Sequence, residues 1–377
     1  MHSNRQHNSK YYSQRLNSNS GGRIENLSAR LILEDGTVYE GFSFGYPDSV
    51  AGEVVFSTGM TGYPEGLTDP SFFGQILVFT YPLVGNYGMP PCGDKQELQL
   101  NYESLKGQIS ALVVDNYSEY YAHHLAETSL AQWLYNQKIP AIANIDTRAL
   151  TQKIREKGVM LGKVVIGERD VPLYDPNKNN LVEQVSISDV EIVGKGKKRV
   201  LLLDCGSKHS IVSELQDREL EIIRVPWNYP VADERFDGML ISSGPGDPKM
   251  CSETIGQVSY ALENDIPTFG ICLGHQMMAL ALGADTFKMK YGHRSQNQPV
   301  VDTQTGRAYI TSQNHGYAVD LNNLPKEWSS LFTNINDNTC EGLTHKSGRF
   351  FSTQFHPEAS PGPVDTRYLF DKFLALL

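Results

Sequence analysis

Apolar positions follow two different rhythms in the two halves of the chain. In the first half, short apolar runs are separated by loops rich in Gly, Thr and Pro, which is the pattern of β-strands joined by turns. These strand-like runs are residues 29–33, 37–39, 53–56, 76–79 and 109–114. Asp35-Gly36 between the first two runs predicts a tight hairpin. Helices are predicted from about Glu127 to Asn136 and, with Asp146 as N-cap, to about Lys157.

After residue 199 strand and helix patterns alternate. Strands are predicted at residues 200–203, 220–225, 238–242 and 267–271, with helices at 210–215, 254–262 and 273–282. Further strands are predicted at 307–310, 342–343 and 349–355, and a last helix from about Val364. Such alternation builds a parallel sheet covered by helices. The predicted fold class is α/β, with a mostly parallel sheet flanked by helices after a mixed α/β N-terminal domain.

Length and local polarity divide the 377 residues into at least two domains. Residues 1–26 are polar and are predicted to be a disordered tail, because they cannot bury enough apolar surface to offset the ordering entropy. The N-terminal domain is predicted over 27–166, a polar linker over 167–198 and the second domain over 199–377. The basic cluster at the end of the linker is interpreted as a solvated connection rather than a binding site.

Composition narrows the function classes. Acidic residues outnumber basic ones, 43 against 33, which argues against a nucleic-acid surface and against attraction to anionic membranes. Five widely spaced cysteines without a Cys-x-x-Cys pair suggest neither a disulfide framework nor a zinc site. The first residues lack the apolar core of a secretory signal, and no run is long enough to span a bilayer. These features predict a cytoplasmic location.

The pentapeptide Gly270-Ile271-Cys272-Leu273-Gly274 lies between a predicted strand and a predicted helix. A Gly-x-nucleophile-x-Gly sequence needs its glycines because the chain must turn sharply at the nucleophile. A position at a helix N-terminus beside a histidine favours the thiolate form. Cys272 is therefore the predicted nucleophile.

His356-Pro357-Glu358 supplies a base and a carboxylate close together in the sequence. The proline disfavours a helical conformation at His356, so both side chains can point the same way along an extended segment. A carboxylate beside an imidazole fixes its orientation and stabilises the imidazolium, which is the logic of a catalytic triad. Taken alone, the tripeptide is weak evidence and favours an ordinary strand end.

Two further segments could contact a substrate. Residues 243–248 follow a predicted strand, and their glycines let backbone N–H groups approach a ligand, so with the Leu273 N–H they could form an oxyanion hole. Taken alone, the segment also fits a simple turn. Gln276 lies one helical turn after Cys272, where substrate contact and surface exposure are both open.

The remaining chemical residues have weaker contexts. His275 is interpreted as structural and Cys205 as a buried packing residue. His293 and His315 are predicted in polar loops, where substrate contact and plain exposure are both open. Cys92, Cys251 and Cys340 have no chemical context, and neither a nucleotide-binding loop nor a metal-ligand spacing occurs, so no cofactor and no metal are predicted for this chain.

Taken together, residues 243–248, 270–276 and 356–358 resemble the motifs of class I glutamine amidotransferases. Residues 55–65, 80–88 and 145–150 look like the glutamine-hydrolysing small subunit of carbamoyl-phosphate synthase, and 291–293 and 312–320 belong to the same pattern. The likeness covers about residues 27 to 377 and leaves the N-terminal tail unexplained.

The resemblance implies that Cys272 attacks the side-chain amide of L-glutamine, that His356 shuttles the proton and that Glu358 orients His356. A glutamyl thioester would form and be hydrolysed, and ammonia would leave through the protein. The family's glutamine contacts fall on Gly59, Gly244, Gly246, Leu273, Gln276, Asn314, Gly316 and Tyr317. The position of Gly59 is often serine in bacterial members, so this contact would involve the backbone only.

The resemblance also implies a partner. In the family, a large synthetase subunit uses ammonia, bicarbonate and two ATP, with Mg, to make carbamoyl phosphate for arginine and pyrimidine synthesis. No synthetase region follows the last predicted helix, so that partner is expected to be a separate polypeptide forming a heterodimer, which can assemble further. Some relatives lose the nucleophile and depend on free ammonia, and Cys272 argues against this here.

Two other functions remain open at this level. A stand-alone γ-glutamyl thiol hydrolase would share the second domain, although the first domain argues against it. A non-catalytic glutamine-binding regulatory subunit would not need an intact set of Cys272, His356 and Glu358.

Overall fold

The computed structural model describes residues 27–91 and 101–377. The predicted N-terminal tail, residues 1–26, and Cys92 lie outside the described residues.

The first part of the described chain is built around a barrel. Its strands are β1 Ser28–Leu33, β2 Val38–Ser43, β3 Val50–Ser57, β4 Gln75–Phe79, β5 Leu83–Val84, β6 Ala111–Val113, β7 Asn116–Tyr117, β8 Ala141–Ala143 and β9 Met160–Ile166. Seven of them close in the order β1-β2-β8-β6-β4-β3-β9, while β5 pairs with β7. Alternate residues of β3 and β4 enter two different apolar clusters, as expected of strands buried on both faces.

The predicted hairpin and helices of this part are present with one corrected boundary. The hairpin joins β1 and β2, where the Asp35 carboxylate accepts a hydrogen bond from the Thr37 N–H at 3.0 Å. The helices are α1 Tyr63–Thr68, α2 Leu130–Asn136 and α3 Thr147–Lys157. The prediction that α2 begins at about Glu127 is wrong, because Ser129 caps it by accepting from the Gln132 N–H. Asp146 caps α3 as predicted.

A ten-stranded sheet forms the second part. Its strands are β10 Glu191–Val193, β11 Arg199–Asp204, β12 Glu221–Pro226, β13 Gly238–Ile241, β14 Thr268–Ile271, β15 Asp285–Asp302, β16 Ala308–Asp320, β17 Trp328–Asn334, β18 Cys340–His345 and β19 Phe350–Thr353. The helices are α4 Val182–Val185, α5 His209–Gln216, α6 Ser252–Glu263, α7 Leu273–Ala281 and α8 Tyr368–Leu374. The sheet order is β10-β12-β11-β13-β14-β19-β18-β16-β15-β17.

The predicted parallel sheet is its centre, where β12, β11, β13, β14 and β19 run parallel to one another. Beyond β19 the sheet continues with antiparallel strands that the sequence did not predict at this length. The last helix begins at Tyr368 rather than at about Val364, because turns occupy residues 365–367.

The predicted linker is ordered over part of its length. It contains α4 and the edge strand β10, which pairs antiparallel with β12. Its basic residues Lys195, Lys197 and Lys198 are exposed, consistent with a solvated connection.

The barrel and the sheet meet along β15. The Thr58 N–H donates to the Arg294 carbonyl at 3.1 Å, and the Val159 N–H donates to the Lys290 carbonyl at 2.7 Å. Glu53 of β3 pairs with Lys288 at 2.6 Å. Within the described ranges, every helix is too short or too polar to cross a membrane.

Candidate active site

Cys272 occupies a sharp turn at the carboxyl end of the central strand β14. Its backbone has φ 53° and ψ −99°, and its N–H donates to the Thr353 carbonyl at 2.7 Å. The flanking glycines are required by close approach, since a Cβ at Gly270 would lie 2.7 Å from Gly274 and a Cβ at Gly274 would lie 2.3 Å from the Ile241 carbonyl. The predicted elbow is therefore present.

The Cys272 sulfur has polar neighbours, although the side chain is only 2% exposed. The Sγ donates to the Asn314 carbonyl at 3.7 Å, and the Gln354 amide nitrogen donates to the Sγ at 3.6 Å. Cys272 also lines a cavity between the barrel and the sheet, so a small molecule in that cavity would meet the sulfur.

His356 and Glu358 form a buried pair beside this sulfur. His356 Nδ1 lies 2.6 Å from Glu358 Oε1, and among the described residues His356 Nε2 makes no hydrogen bond. Burial opposes the imidazolium, but Glu358 and Cys272 outweigh it and raise the pKa of His356 to about 10. The arrangement holds one ring nitrogen and leaves the other free to exchange a proton.

Lys208 completes the charge balance of this pair, and sequence reasoning missed it. Its Nζ lies 3.1 Å from Glu358 Oε1 and donates to the Ala359 carbonyl at 2.8 Å. Burial opposes ionisation of Glu358, but Lys208 and then His356 outweigh it and lower the pKa of Glu358 to about 2. The available signal was a polar segment directly after β11, since the carboxyl ends of parallel strands converge on one edge.

Two acids of the first part of the chain reach the same network. Asp69 accepts from the Asn314 amide at 2.9 Å. Glu103 is buried and accepts from the Ser210 hydroxyl at 2.7 Å, and both acids help to raise the pKa of Lys208 against its burial. The barrel thus supplies groups that hold the sheet's chemical residues in place.

The cavity over Cys272 gathers most of the predicted substrate contacts. Those lining it are Gly244, Gly246, Gln276, Asn314, Gly316 and Tyr317. Leu273 is the first residue of α7, so its N–H has no partner within the helix. Gly59 does not line this cavity but a second one, on the side of His356.

Backbone geometry near Cys272 suits an oxyanion. A Cβ at Gly244 would lie 2.1 Å from the Cys205 carbonyl and 2.8 Å from the Leu273 side chain, so only glycine allows this approach. Gly244 therefore lies beside the N-terminus of α7, where partial positive charge favours a developing negative oxygen.

Gln276 is buried rather than exposed, which removes the surface interpretation. Its amide nitrogen donates to the Tyr317 carbonyl at 2.9 Å and to Gln354 Oε1 at 3.0 Å. These contacts fix the orientation of the side chain at the cavity wall.

Ser71 is a second residue that sequence reasoning missed. Its hydroxyl is buried, has no hydrogen-bond partner among the described residues and belongs to the lining of the Cys272 cavity. Asp69 accepts from the Ser71 N–H at 2.9 Å and so holds the short turn that carries it. Glu53, Lys288 and Arg294 add charged groups to the same lining.

Burial decides between the interpretations of the remaining histidines and cysteines. His275 contacts Ser352 Oγ at 2.8 Å, and burial lowers the pKa of His275 to about 3, consistent with a structural role. Cys205, Cys251 and Cys340 are buried free thiols. His293 and His315 lie in β15 and β16 rather than in loops, and both are buried, which removes plain exposure.

Two families match the chain. Residues 201–376 match the family described as Glutamine amidotransferase class-I. Residues 31–164 match the family described as Carbamoyl-phosphate synthase small chain, CPSase domain. Together the two matches cover nearly all of the barrel and the sheet.

Curated relatives are similar along almost the whole chain. It is 49% identical over 94% of its length to Carbamoyl-phosphate synthase (ammonia), mitochondrial, of Mus musculus. It is 49% identical over 92% of its length to Multifunctional protein CAD of Squalus acanthias, and 44% identical over 93% to Multifunctional protein URA2 of Saccharomyces cerevisiae. The chain spans 24%, 16% and 18% of these three relatives, so it matches about a quarter or less of each.

Proposed function

This chain belongs to the carbamoyl-phosphate synthase small-chain family and carries a class I glutamine amidotransferase region, and from that premise we propose that it hydrolyses L-glutamine and delivers the ammonia for carbamoyl phosphate synthesis. The observation that carries the proposal is the buried pair at 2.6 Å, in which Glu358 holds one nitrogen of His356 and leaves the other unbonded beside Cys272.

The reaction follows from this geometry. The Cys272 thiolate attacks the amide carbon, and His356 gives its proton to the nitrogen as the carbon–nitrogen bond breaks, which yields ammonia and a glutamyl thioester. Water then attacks the thioester while His356 takes its proton, and glutamate leaves as the thiol is restored. The Leu273 N–H and the backbone at Gly244 stabilise the oxyanion of both steps.

The polar cavity suits an amino acid with two charged groups. Glu53, Lys288 and Arg294 line it together with Gln276 and the unpartnered Ser71 hydroxyl. A buried hydroxyl without a partner is costly unless a ligand satisfies it, so we assign Ser71 to substrate binding in place of Gly59.

Ammonia leaves, in this proposal, on the side of His356. The second cavity is lined by His356 and Gly59, and Asn314 lines both cavities. The nitrogen that receives the proton of His356 is therefore released beside the second cavity, which we propose as the beginning of the ammonia channel and as the setting of Gly59.

The proposed partner is a synthetase that uses ammonia, bicarbonate and ATP with Mg, as a separate large subunit in a heterodimer. The synthetase partner, though not its being a separate chain, is supported by relatives that are at least four times as long as the matched region. We propose a cytoplasmic location for the complex, since a reducing compartment preserves the Cys272 thiol.

The test is ammonia release from L-glutamine by the purified chain, with and without the large subunit. We expect slow hydrolysis by the chain alone and faster hydrolysis in the complex, because the catalytic groups are present and the coupling crosses an interface. Fast turnover that the large subunit does not change would identify a free thiol hydrolase. Glutamine binding without turnover in either case would identify a regulatory binding subunit.

A further inference from the structure

A second cluster of chemical side chains lies at the edge of the Cys272 cavity, whose lining includes His315, and has no part in the proposed reaction. His293 of β15 and His315 of β16 are paired residues of neighbouring strands, and Glu341 follows the first residue of β18. All three are buried, with 5%, 5% and 0% of their surface exposed. The strand segment on which His315 lies also carries Asn314 and Gly316 into the Cys272 cavity.

The three side chains converge at distances close to those of a metal site. His293 Nδ1 lies 3.3 Å from Glu341 Oε1, and His315 Nε2 lies 3.9 Å from the same oxygen. One ligand atom from each residue fits within 4.8 Å of the other two. Bonds of about 2.0–2.2 Å to one tetrahedral ion place ligand atoms about 3.4 Å apart, so binding would draw His315 toward Glu341 by about half an ångström and close the widest pair by up to about an ångström or slightly more.

Both imidazoles are held from the outside by acceptors. His293 Nε2 lies 2.8 Å from Asp337 Oδ2, and His315 Nδ1 lies 2.8 Å from the Tyr317 carbonyl. A histidine that binds a metal usually donates its other N–H to a carboxylate or a backbone carbonyl, which directs a lone pair at the ion. Here both outer nitrogens have such acceptors, and both inner nitrogens face Glu341.

The tautomer of His293 has separate support from Asn334. The Asn334 side-chain oxygen accepts from the Asn336 N–H at 2.9 Å, so its amide nitrogen points into the cluster. That nitrogen lies 3.4 Å from His293 Nδ1 and 3.3 Å from Glu341 Oε1. A donor aimed at Nδ1 favours the ring form in which Nδ1 carries the lone pair.

One carboxylate oxygen of Glu341 is buried without a partner. Its Oε1 also accepts from Thr339 Oγ1 at 3.2 Å, whereas its Oε2 is buried without a hydrogen-bond partner in the described parts of the chain. An unpartnered carboxylate oxygen at a fully buried position is costly, and a bound cation removes that cost.

We propose that His293 Nδ1, His315 Nε2 and the Glu341 carboxylate bind one Zn²⁺ ion. Two imidazoles and one carboxylate suit zinc, whereas Mg²⁺ and Ca²⁺ prefer an all-oxygen set. The Gln313 side-chain oxygen, 3.2 Å from His315 Nε2, or a water fills the fourth position. The ion links β15, β16 and β18 and so fixes the strand that carries Asn314.

The competing explanation is an ion network without metal, in which protonated His293 bridges Glu341 and Asp337. Burial opposes that charge, but Glu341 and Asp337 outweigh it and raise the pKa of His293. The two explanations differ in whether the folded chain binds zinc at all.

The experiment measures zinc binding by the untagged full chain in a Cys272→Ser background, because the reactive thiol could itself bind zinc. Equilibrium dialysis should give one zinc per chain, and Co²⁺ substitution should give the visible absorption of a tetrahedral ion without a thiolate band. Glu341→Gln should abolish this binding. Asp337→Asn, which changes only the outer partner of His293, should weaken it by about 10–100-fold.

The matched control is Glu263→Gln, which makes the same charge change at the exposed end of α6 and should leave zinc affinity unchanged. Because Asp337 is partly exposed, its variant should fold even if Glu341→Gln does not. Absence of saturable zinc binding would overturn the proposal in favour of the ion network. Zinc affinity that neither Glu341→Gln nor Asp337→Asn changes would overturn it as well.

Discussion

Two buried histidines in the sheet half of this molecule contact carboxylates, and they differ in what surrounds them. His356 contacts Glu358 at 2.6 Å and keeps its second nitrogen unbonded, while His293 contacts Asp337 at 2.8 Å and has Glu341 and Asn334 on its second nitrogen. The first ring can exchange a proton with a neighbour, whereas the second is held on both sides. A short contact between imidazole and carboxylate therefore does not define a catalytic pair.

The counter-charge is the second difference. Lys208 lies against Glu358 and keeps it ionised, lowering its pKa to about 2 against burial. For Glu341, burial raises the pKa despite the contacts with His293 and Asn334. A buried carboxylate with its own lysine can stabilise an imidazolium during a reaction, and this explains why only the first arrangement is suited to proton transfer.

Replacing the Cys272 sulfur, which lies beside the first arrangement only, should cause the largest loss of glutamine hydrolysis. Cys272→Ser should reduce glutamine hydrolysis by about 10³-fold or more, because His356 then has no thiol to activate. Synthesis from added ammonia by the complex with the large subunit should remain intact. Loss of both activities would make Cys272 architectural. Cys340→Ser, at another buried thiol, is the matched control and should retain hydrolysis.

Replacing one carboxylate in each arrangement should change kcat for glutamine to very different extents. Glu358→Gln should lower kcat for glutamine by about 10²–10⁴-fold, since the imidazolium loses its orienting charge. Asp337→Asn should leave kcat within about 2-fold, because Asp337 contacts no residue of the proposed reaction. Steady-state ammonia release measures both. Equal losses in the two variants would contradict the distinction drawn here.

The stability of the Lys208→Met variant tests whether Lys208 balances the buried charge of Glu358. The substitution should lower the free energy of unfolding by about 3–5 kcal/mol, because the buried charge of Glu358 loses its lysine and is left with His356 alone. Lys249→Met removes the exposed contact with Asp285 and should cost at most about 1 kcal/mol. Urea unfolding of both variants gives the two values. A loss no greater for Lys208→Met than for the control would show that Glu358 does not depend on the lysine.

The stability that the His356–Glu358 pair contributes should depend on pH. The folded chain raises the pKa of His356 from 6.5 to about 10, so its stabilising contribution is full below pH 6.5 and is lost as pH rises through about 10. It lowers the pKa of Glu358 from 4.5 to about 2, so that contribution is present above pH 4.5 and is lost as pH falls through about 2.

The difference in unfolding free energy between the unaltered chain and His356→Gln should therefore be largest between pH 4.5 and 6.5 and shrink above that window. Urea unfolding across the range measures it, and His124→Gln, at an exposed position, controls for the loss of a histidine as such. A difference that grows with rising pH would contradict the assignment.

The sequence predicts best what short-range signals determine. The turn at Cys272 follows from glycines two residues away on either side, and helix α3 follows from Asp146 and the glycine after Lys157. The His356–Glu358 contact forms in a turn, in which the Ala359 N–H donates to the His356 carbonyl at 3.1 Å; the predicted extended segment is wrong, although the two side chains do meet. In each case the residues that fix the geometry lie within a few positions of one another, so one sequence is enough to recognise them.

The features that the sequence does not predict depend on contacts between residues far apart in the chain. Lys208 reaches Glu358 across 150 positions, and the buried hydroxyl of Ser71 meets the Cys272 cavity only because the barrel packs on the sheet. Strands β15 and β16 are polar and interrupted by register shifts, so their sequences lack clear alternation and indicate loops. For this reason the cluster of His293, His315 and Glu341 has no sequence signature.

The backbone at Cys272 carries a consequence for engineering. A side chain held at φ 53° and ψ −99° is in a sparsely populated conformation that costs on the order of 1–3 kcal/mol, and glycine adopts such angles readily. Folding alone would place glycine at this position. Selection for thermal durability without an activity assay would therefore favour Cys272→Gly and yield a tougher but inert protein.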